Sequence, residues 1–443
     1  MRRIQIVLIT VLLLPSLLWW WAEASNLPVA GGFFPWRSLL IQYSGILALA
    51  AMSAAMWLAV RPVWLESMLG GLDKMYRLHK WLGISALVFA VLHWSLATVP
   101  KWLVRAGWIE RPARGKPHEA GSDILEFFQS QRELAESVGE WAFYALFFLL
   151  LIALVRVFPY RYFFKTHRLL ALVYLFLTLH SVLLVRHGYW ITPLGIALAL
   201  MLATGAGCAV ISLFQRIGAN HRAVGVIDSI EHLDGVSVNA VGIRLESRWP
   251  GHKAGQFAFI TFDAEEGAHP FTISSAWQGD GKLLLLIKAL GDYTSTLASN
   301  LKVGDMVRIE GPYGRFDFSG AAQRQIWIGG GIGITPFVAR MKFLANHPDG
   351  RKIDLFHSTR DVDETALRHL ADDADGAGVK LHLMIDERDG YLTGERIREK
   401  IPEWRSAEVW FCGPLTFGDA IRRDLVQHGL PEGHFHQEWF DLR

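Results

Sequence analysis

The sequence predicts a multidomain membrane protein. A six-helix transmembrane bundle over residues 1–216 is followed by a small antiparallel β-barrel over 217–320 and a parallel-sheet α/β domain over 321–443. Three observations carry the prediction. Up to about residue 216 charges are sparse and apolar runs long, whereas after it charges mix evenly with apolar residues. Between about 217 and 320 short alternating runs are separated by turn residues, the pattern of a barrel or sandwich. From about 325 apolar strands alternate with helix-length segments, the pattern of a parallel sheet.

Composition narrows the function. With 443 residues, 51% of them hydrophobic and 19% charged, the chain is neither disordered nor one soluble domain. A net charge of +2 offers no electrostatic footprint for nucleic acid. Cys208 and Cys412 fall in different halves and form neither a disulfide framework nor a CxxC metal site.

A membrane-crossing helix needs about 20 apolar residues. Segments 4–22, 38–60, 78–99, 138–158, 167–185 and 191–214 qualify. The first, with Arg2, Arg3 and Ala22-Glu23-Ala24, shares features with a cleavable signal, but its length and Trp19-Trp20-Trp21 favour a retained helix. Arg61, Lys74 and Arg77 in one connection, and Arg156, Arg161, Lys165 and Arg168 in another, read as cytoplasmic. The long 100–137 connection, with Trp102 and Trp108, then lies outside and the soluble half inside, in a multi-pass protein of the cell's inner (plasma) membrane.

Ionisable residues inside such helices are functional suspects. His79 and His93 lie on the third helix, His167 and His180 on the fifth. Their spacings correspond to rises of about 21 and 20 Å at 1.5 Å per residue. The two helices run in one direction, so His79 and His167 share a level, as do His93 and His180. Two stacked bis-histidine sites follow, each suited to a haem b held between helices. Fourteen residues return within about 40° of one face, but thirteen leave about 140°, so His180 needs a local irregularity or a haem met from another side.

In the soluble half, barrel strands are expected at 236–244, 257–262, 270–276, 283–290 and 306–311. Strands of the parallel sheet are expected at 325–330, 353–357, 380–385 and 408–412. Behind the first of these stands Gly329-Gly330-Gly331-Ile332-Gly333-Ile334-Thr335-Pro336. Gly330, Gly331 and Gly333 allow close approach to a pyrophosphate, and Thr335 and Pro336 open the helix whose N-terminus meets its charge. Ser358 and Arg360 behind the second strand suit the 2′-phosphate of NADP, while Asp361 and Asp363 leave NADH use open.

Five motifs in order carry a resemblance: His269-Pro270-Phe271-Thr272-Ile273-Ser274-Ser275, Gly291-Asp292-Tyr293-Thr294, Gly311-Pro312-Tyr313-Gly314, the glycine loop, and Phe411-Cys412-Gly413-Pro414. Together they resemble the ferredoxin–NADP reductase type of flavoprotein. The His-Pro-Phe-Thr form and the paired histidines resemble the NADPH oxidase and ferric reductase superfamily. The resemblance runs from the third helix to the C-terminus. It implies that Thr272 and Ser274 offer hydroxyls to the FAD ring edge and that Pro270 and Phe271 pack on it, with Ile273 and Ser275 in the same strand. Where soluble relatives carry Arg, this chain has His269, so Lys288, the Gly291 backbone and Thr294 would carry the FAD pyrophosphate. Cys412, Gly413 and Pro414 would meet the nicotinamide, Cys412 and Thr272 being the residues nearest the chemistry, and Phe440 would be an aromatic against the flavin.

The implied function is electron transfer from cytoplasmic NADPH through FAD and two bis-His b-type haems to an extracytoplasmic acceptor. Oxygen giving superoxide, a ferric chelate and a periplasmic redox protein all fit as acceptor. A haem-free membrane-anchored diaphorase and a nucleotide-regulated membrane sensor are the alternatives.

Overall fold

The computed structural model describes residues 2–28, 32–110, 130–155 and 158–438. It divides at Ile217/Gly218 into two compact units.

In the first unit six helices are long and apolar enough to cross a membrane. They are α1 (Arg2–Glu23), α2 (Phe33–Ala59), α4 (Leu72–Arg105), α5 (Arg132–Leu154), α6 (Tyr160–Leu184) and α7 (Pro193–Leu213), with the short α3 (Val63–Leu69) between the second and third. The chain is a multi-pass membrane protein. All of these six but α7 are longer than their apolar runs suggest. Trp102 lies on α4 and not in a loop, and Arg161, Lys165 and Arg168 lie on the first turns of α6. Most of the connection between α4 and α5, residues 111–129, falls outside the described residues, as does Arg156.

Pro100 does not end α4. Lacking an N–H, it leaves the carbonyl of Leu96 without its helical partner. Arg37 on α2 supplies the missing donor: its Nε lies 2.7 Å from Leu96 O and its Nη2 2.9 Å from Ala97 O. Helix α1 is tied to the bundle by polar groups. Ser16 Oγ is 2.9 Å from Tyr43 Oη, Trp19 Nε1 donates to Tyr189 Oη at 3.2 Å, and the buried Glu23 accepts from Arg186 Nη1 at 2.6 Å. In hydrocarbon such pairs satisfy groups that have no water to turn to.

The second unit begins with a six-stranded antiparallel sheet. Its strands are β1 (Arg222–Leu233), β2 (Val238–Leu245), β3 (Phe257–Thr261), β4 (His269–Thr272), β5 (Lys282–Lys288) and β6 (Met306–Tyr313), in the order β4-β3-β6-β1-β2-β5. A bridge between Ile273 and Leu285 joins the two edges, so the sheet closes into a barrel and no long edge is left open. Val241, Ile243, Ala258, Ile260, Ile273, Leu285 and Ile309 fill its interior. The central strand β1 is absent from the sequence expectation. Its alternation breaks at the bulge between Ile227 and Ser229, and Asp228, Glu231 and His232 follow, so half of it does not look like a strand. Helix α8 (Asp292–Asn300) follows β5.

The parallel sheet contains β7 (Arg324–Gly330), β8 (Lys352–Thr359), β9 (Lys380–Ile385), β10 (Glu408–Cys412) and the short β11 (Phe435–Gln437), in the order β11-β10-β7-β8-β9. The chain runs outward from β7 through β8 to β9, then crosses back to β10. The direction of winding therefore reverses between β7 and β10. In open α/β sheets ligands bind outside the carboxyl ends of the strands at such a reversal. Gly330 and Cys412 are the last residues of those two strands.

Candidate functional site

The four membrane histidines arrive as two pairs. The rings of His79 and His167 are 5.8 Å apart, centre to centre, with their planes at 66°. Those of His93 and His180 are 6.2 Å apart at 85°. Metal–imidazole bonds of about 2 Å, with each ring centre about 1 Å behind its nitrogen, put two imidazoles on opposite sides of one metal about 6 Å apart. Both pairs have that separation.

Hydrogen bonds set the tautomers. Nδ1 of His79 lies 3.0 Å from Ala55 O, that of His93 2.9 Å from Ile41 O, and that of His180 2.8 Å from Ala135 O. A carbonyl oxygen only accepts, so Nδ1 carries the proton and Nε2 keeps the lone pair that a metal needs. His167 differs: its buried Nδ1 has no hydrogen-bond partner, and its ring stacks on Phe163 at 5.0 Å. Helix α6 needs no irregularity at His180, being unbroken from Tyr160 to Leu184. The ring leaves in its own direction and lies over the backbone of α5.

In the barrel, β4 carries His269, Pro270, Phe271 and Thr272, and pairs with β3. The His269 ring stacks on Tyr293 of α8 at 4.4 Å, which joins the first two motifs in space. Burial depresses the His269 imidazole to about 4 and raises the Tyr293 phenol to about 12. His269 is thus neutral at pH 7 and brings no cation. The Ile273 side chain belongs to the barrel core and is fully buried, so only its backbone is open to a ligand. Ser274 is fully buried as well, yet its Oγ has no partner, the mark of a group awaiting a ligand. Ser275 Oγ accepts from the Leu284 amide at 3.1 Å.

Lys288 and Thr294 are already engaged. Lys288 Nζ donates to Asp361 Oδ2 at 2.5 Å, across from the nucleotide sheet. Thr294 Oγ1 accepts from the amides of Leu290 and Gly291 at 3.0 and 3.1 Å and so caps the start of α8.

The glycine loop follows β7 and leads into α9 (Thr335–Asn346), where Pro336 occupies the first turn and Thr335 is buried. A Cβ on Gly333 would stand 2.2 Å from Cys412 O, and one on Gly330 would stand 3.0 Å from Pro414 Cδ. These two glycines let the loop close against Cys412, Gly413 and Pro414. Gly331 is different: its φ is +54° and nothing lies within 4 Å, so its backbone faces open space. Behind the loop, His357 Nδ1 donates to Gly329 O at 3.2 Å, and burial lowers His357 to about 4. Cys412 is buried at the end of β10, which raises its thiol well above the ordinary range, with the Glu438 carboxylate adding to the effect.

Ser358 lies near the end of β8 and Arg360 just beyond it, exposed. Ser358 Oγ donates to Asp386 Oδ1 at 3.3 Å. Sequence reasoning passed over Asp386, although an acid directly behind the third strand of such a sheet was a visible signal. Phe440 lies outside the described residues.

Residues 44–178 match the family model described as ferric reductase like transmembrane component, and residues 233–317 match an FAD-binding domain model. The glycine betaine monooxygenase reductase subunit of Chromohalobacter salexigens is 25% identical over 207 residues, 42% of this chain and 56% of that protein. A flavohemoprotein of Xylella fastidiosa is 28% identical over 204 residues, 43% of this chain and 51% of that protein. The chain spans little more than half the length of these relatives. The ferredoxin reductase of carbazole 1,9a-dioxygenase superimposes with a TM-score of 0.43 at 20% identity, over 49% of this chain and 69% of that one.

Proposed function

Since the chain joins a ferric reductase-like transmembrane component to a FAD-binding reductase module, we propose that it moves electrons from NADPH, with NADH also accepted, through FAD and two b-type haems to an acceptor across the membrane. The observation that carries this reading is the meeting of His79 with His167 and of His93 with His180 at the separation of paired axial ligands. When bound, FAD turns a two-electron hydride into single electrons, and haem iron relays them one at a time.

The chain's own contribution is to bind, orient and insulate. His79 with His167, and His93 with His180, would hold the two haems, and on His79, His93 and His180 the carbonyl-bonded Nδ1 proton keeps Nε2 available as ligand. Two histidines at each site would leave a haem held there no open position for a substrate, which favours an acceptor that meets the outer site at its edge. Oxygen, a ferric chelate or a periplasmic redox protein meets that requirement. The Thr272 hydroxyl and the unsatisfied Ser274 Oγ suit the flavin edge, with Pro270 and Phe271 packed beside it. Lys288 is held by Asp361, so the Gly291 backbone and the start of α8, shaped by the Thr294 cap, would receive the FAD pyrophosphate.

Gly330, Gly331 and Gly333 with the N-terminus of α9 suit the nucleotide pyrophosphate, Thr335 and Pro336 setting the helix start. Cys412 and Gly413 keep the wall beside the nicotinamide small, and the protonated Cys412 thiol acts there by shape. Ser358 and Arg360 suit a 2′-phosphate, whereas Asp386 suits a free ribose hydroxyl, which is why both nucleotides are expected to serve. The Lys and Arg distribution supports a cytoplasmic position for this module, in a multi-pass protein of the inner membrane.

The test is an optical spectrum of the full chain in detergent, before and after anaerobic NADPH. Sharp reduced b-type bands at two haems per FAD are the expected result. Flavin bleaching without haem bands would overturn the relay and leave a membrane-anchored diaphorase.

A further inference from the structure

The outer pair of histidines reaches its carbonyl partners in a way that singles out two glycines. His93 bonds the carbonyl of Ile41 on α2, and His180 that of Ala135 on α5. In a helix each Cα–Cβ bond leans toward the N-terminus, so the Cβ of residue i+4 overhangs the carbonyl of residue i. That carbonyl already accepts the helical N–H of residue i+4 but has a second lone pair to offer. A ring that comes in over residue i+4 needs that residue to lack a Cβ, whereas His79 reaches Ala55 O with Ala59 four residues on and so takes another approach. Four residues after Ile41 comes Gly45, and four residues after Ala135 comes Gly139.

The two clearances differ in degree. A Cβ on Gly139 would fall 2.0 Å from His180 Nδ1 and 2.3 Å from its Cε1, deep inside contact distance. One on Gly45 would fall 3.1 Å from both Nδ1 and Cε1 of His93, tight enough to push the ring by a few tenths of an ångström. The inner pair uses no such clearance. His79 bonds Ala55 in the last turn of α2, where the residue four further on is Ala59, and His167 bonds no carbonyl.

The angular mismatch of His180 explains why the clearance at Gly139 is the larger. Thirteen residues after His167 an unbroken helix has turned about 140° away. The ring therefore has to cross α5 to face His93, and it crosses where α5 has no side chain.

We propose that Gly45 and Gly139 are positioning residues of the outer histidine pair, each clearing the space through which an imidazole reaches the carbonyl that fixes its tautomer and its aim. The proposal rests on the reading of His93 and His180 as axial haem ligands. It assigns the two glycines to the outer site alone.

The experiment uses the full chain purified in detergent, as parent, Gly139→Ala, Gly45→Ala and Gly207→Ala. Gly207 is exposed, and an added Cβ there meets nothing within 4 Å. Haem per FAD, carbon monoxide binding to the reduced protein and a potentiometric titration are the readouts. Gly139→Ala is expected to fall from two haems per FAD to one, or to keep the second haem in a form that binds carbon monoxide, which the parent does not. Gly45→Ala is expected to keep both haems but to raise the midpoint of one, because a weaker Nδ1–H···O bond makes imidazole a poorer donor to iron. Gly207→Ala is expected to match the parent.

Flavin reduction by NADPH reports whether the reductase half is intact in each variant. If Gly139→Ala does not accumulate, Gly45→Ala decides alone. Two unaltered haems with unaltered midpoints in either glycine variant would overturn the proposal. A parent without haem would instead overturn the reading beneath it, and the two failures are distinct.

Discussion

In the proposed nucleotide site, Asp386 and Ser358 bear on the choice between nucleotides at the level of single groups. A carboxylate oxygen 3.3 Å from the Ser358 hydroxyl repels a phosphate placed there and welcomes a ribose hydroxyl. Asp386→Asn is expected to raise the ratio of kcat/KM for NADPH over NADH by about tenfold, the equivalent of about 1.4 kcal/mol. An unchanged ratio would remove Asp386 from the nucleotide site. His180→Leu is expected to take one of the two haems while leaving NADPH-dependent flavin bleaching intact, and pyridine haemochrome analysis of the purified variant checks this. The pairing of the histidines was legible, because their spacings set them at matched depths on two helices that run in one direction. Their supports were not. A backbone carbonyl leaves no trace in sequence, and Gly45 and Gly139 look like any other glycines of a membrane helix until the neighbouring ring is in place.

Elements were legible where apolar residues run on without a break. The strands around Ile260, Leu285 and Ile326 stand within one or two residues of their expected limits because uninterrupted apolar residues fill each core. Strand β1 escaped because its bulge reverses the alternation halfway along. Helix ends escaped for another reason: α4 continues past its apolar run through Pro100, held by a side chain from another helix. Arg37→Leu is expected to leave the carbonyls of Leu96 and Ala97 without that donor and to destabilise the bundle by roughly 1–3 kcal/mol. Thermal unfolding in detergent measures it, and an unmoved transition would show that Arg37 is dispensable. The nucleotide loop is legible at the same scale, since a glycine run between strand and helix is needed wherever a backbone must close on its neighbour and on a ligand.

For the whole molecule, two properties follow from how the halves are built. In the reductase half His269 and His357 are buried neutral, each depressed to about 4. The unfolded chain binds protons at these sites from about pH 6.5 downward, whereas the folded one does not until about pH 4. Their contribution is therefore complete above about pH 6.5 and is lost as pH falls toward 4, by roughly 3 kcal/mol for each at the lower limit. Calorimetry of the full chain between pH 7 and 4 is expected to show the reductase transition falling steadily. Replacing His357 with Gln should flatten that slope, and an equal slope would exclude it as a source. The task proposed for the membrane half is to hold paired imidazoles across the bilayer. The central claim is thus that electrons cross from the nucleotide side to the other. It is tested most directly in sealed proteoliposomes, with NADPH supplied outside to the molecules whose reductase half faces outward and membrane-impermeant ferricyanide trapped within. Reduction of the trapped ferricyanide, abolished by His93→Leu while NADPH still bleaches the flavin, is the predicted result. Reduction confined to ferricyanide on the NADPH side, with the lumen untouched, would contradict it.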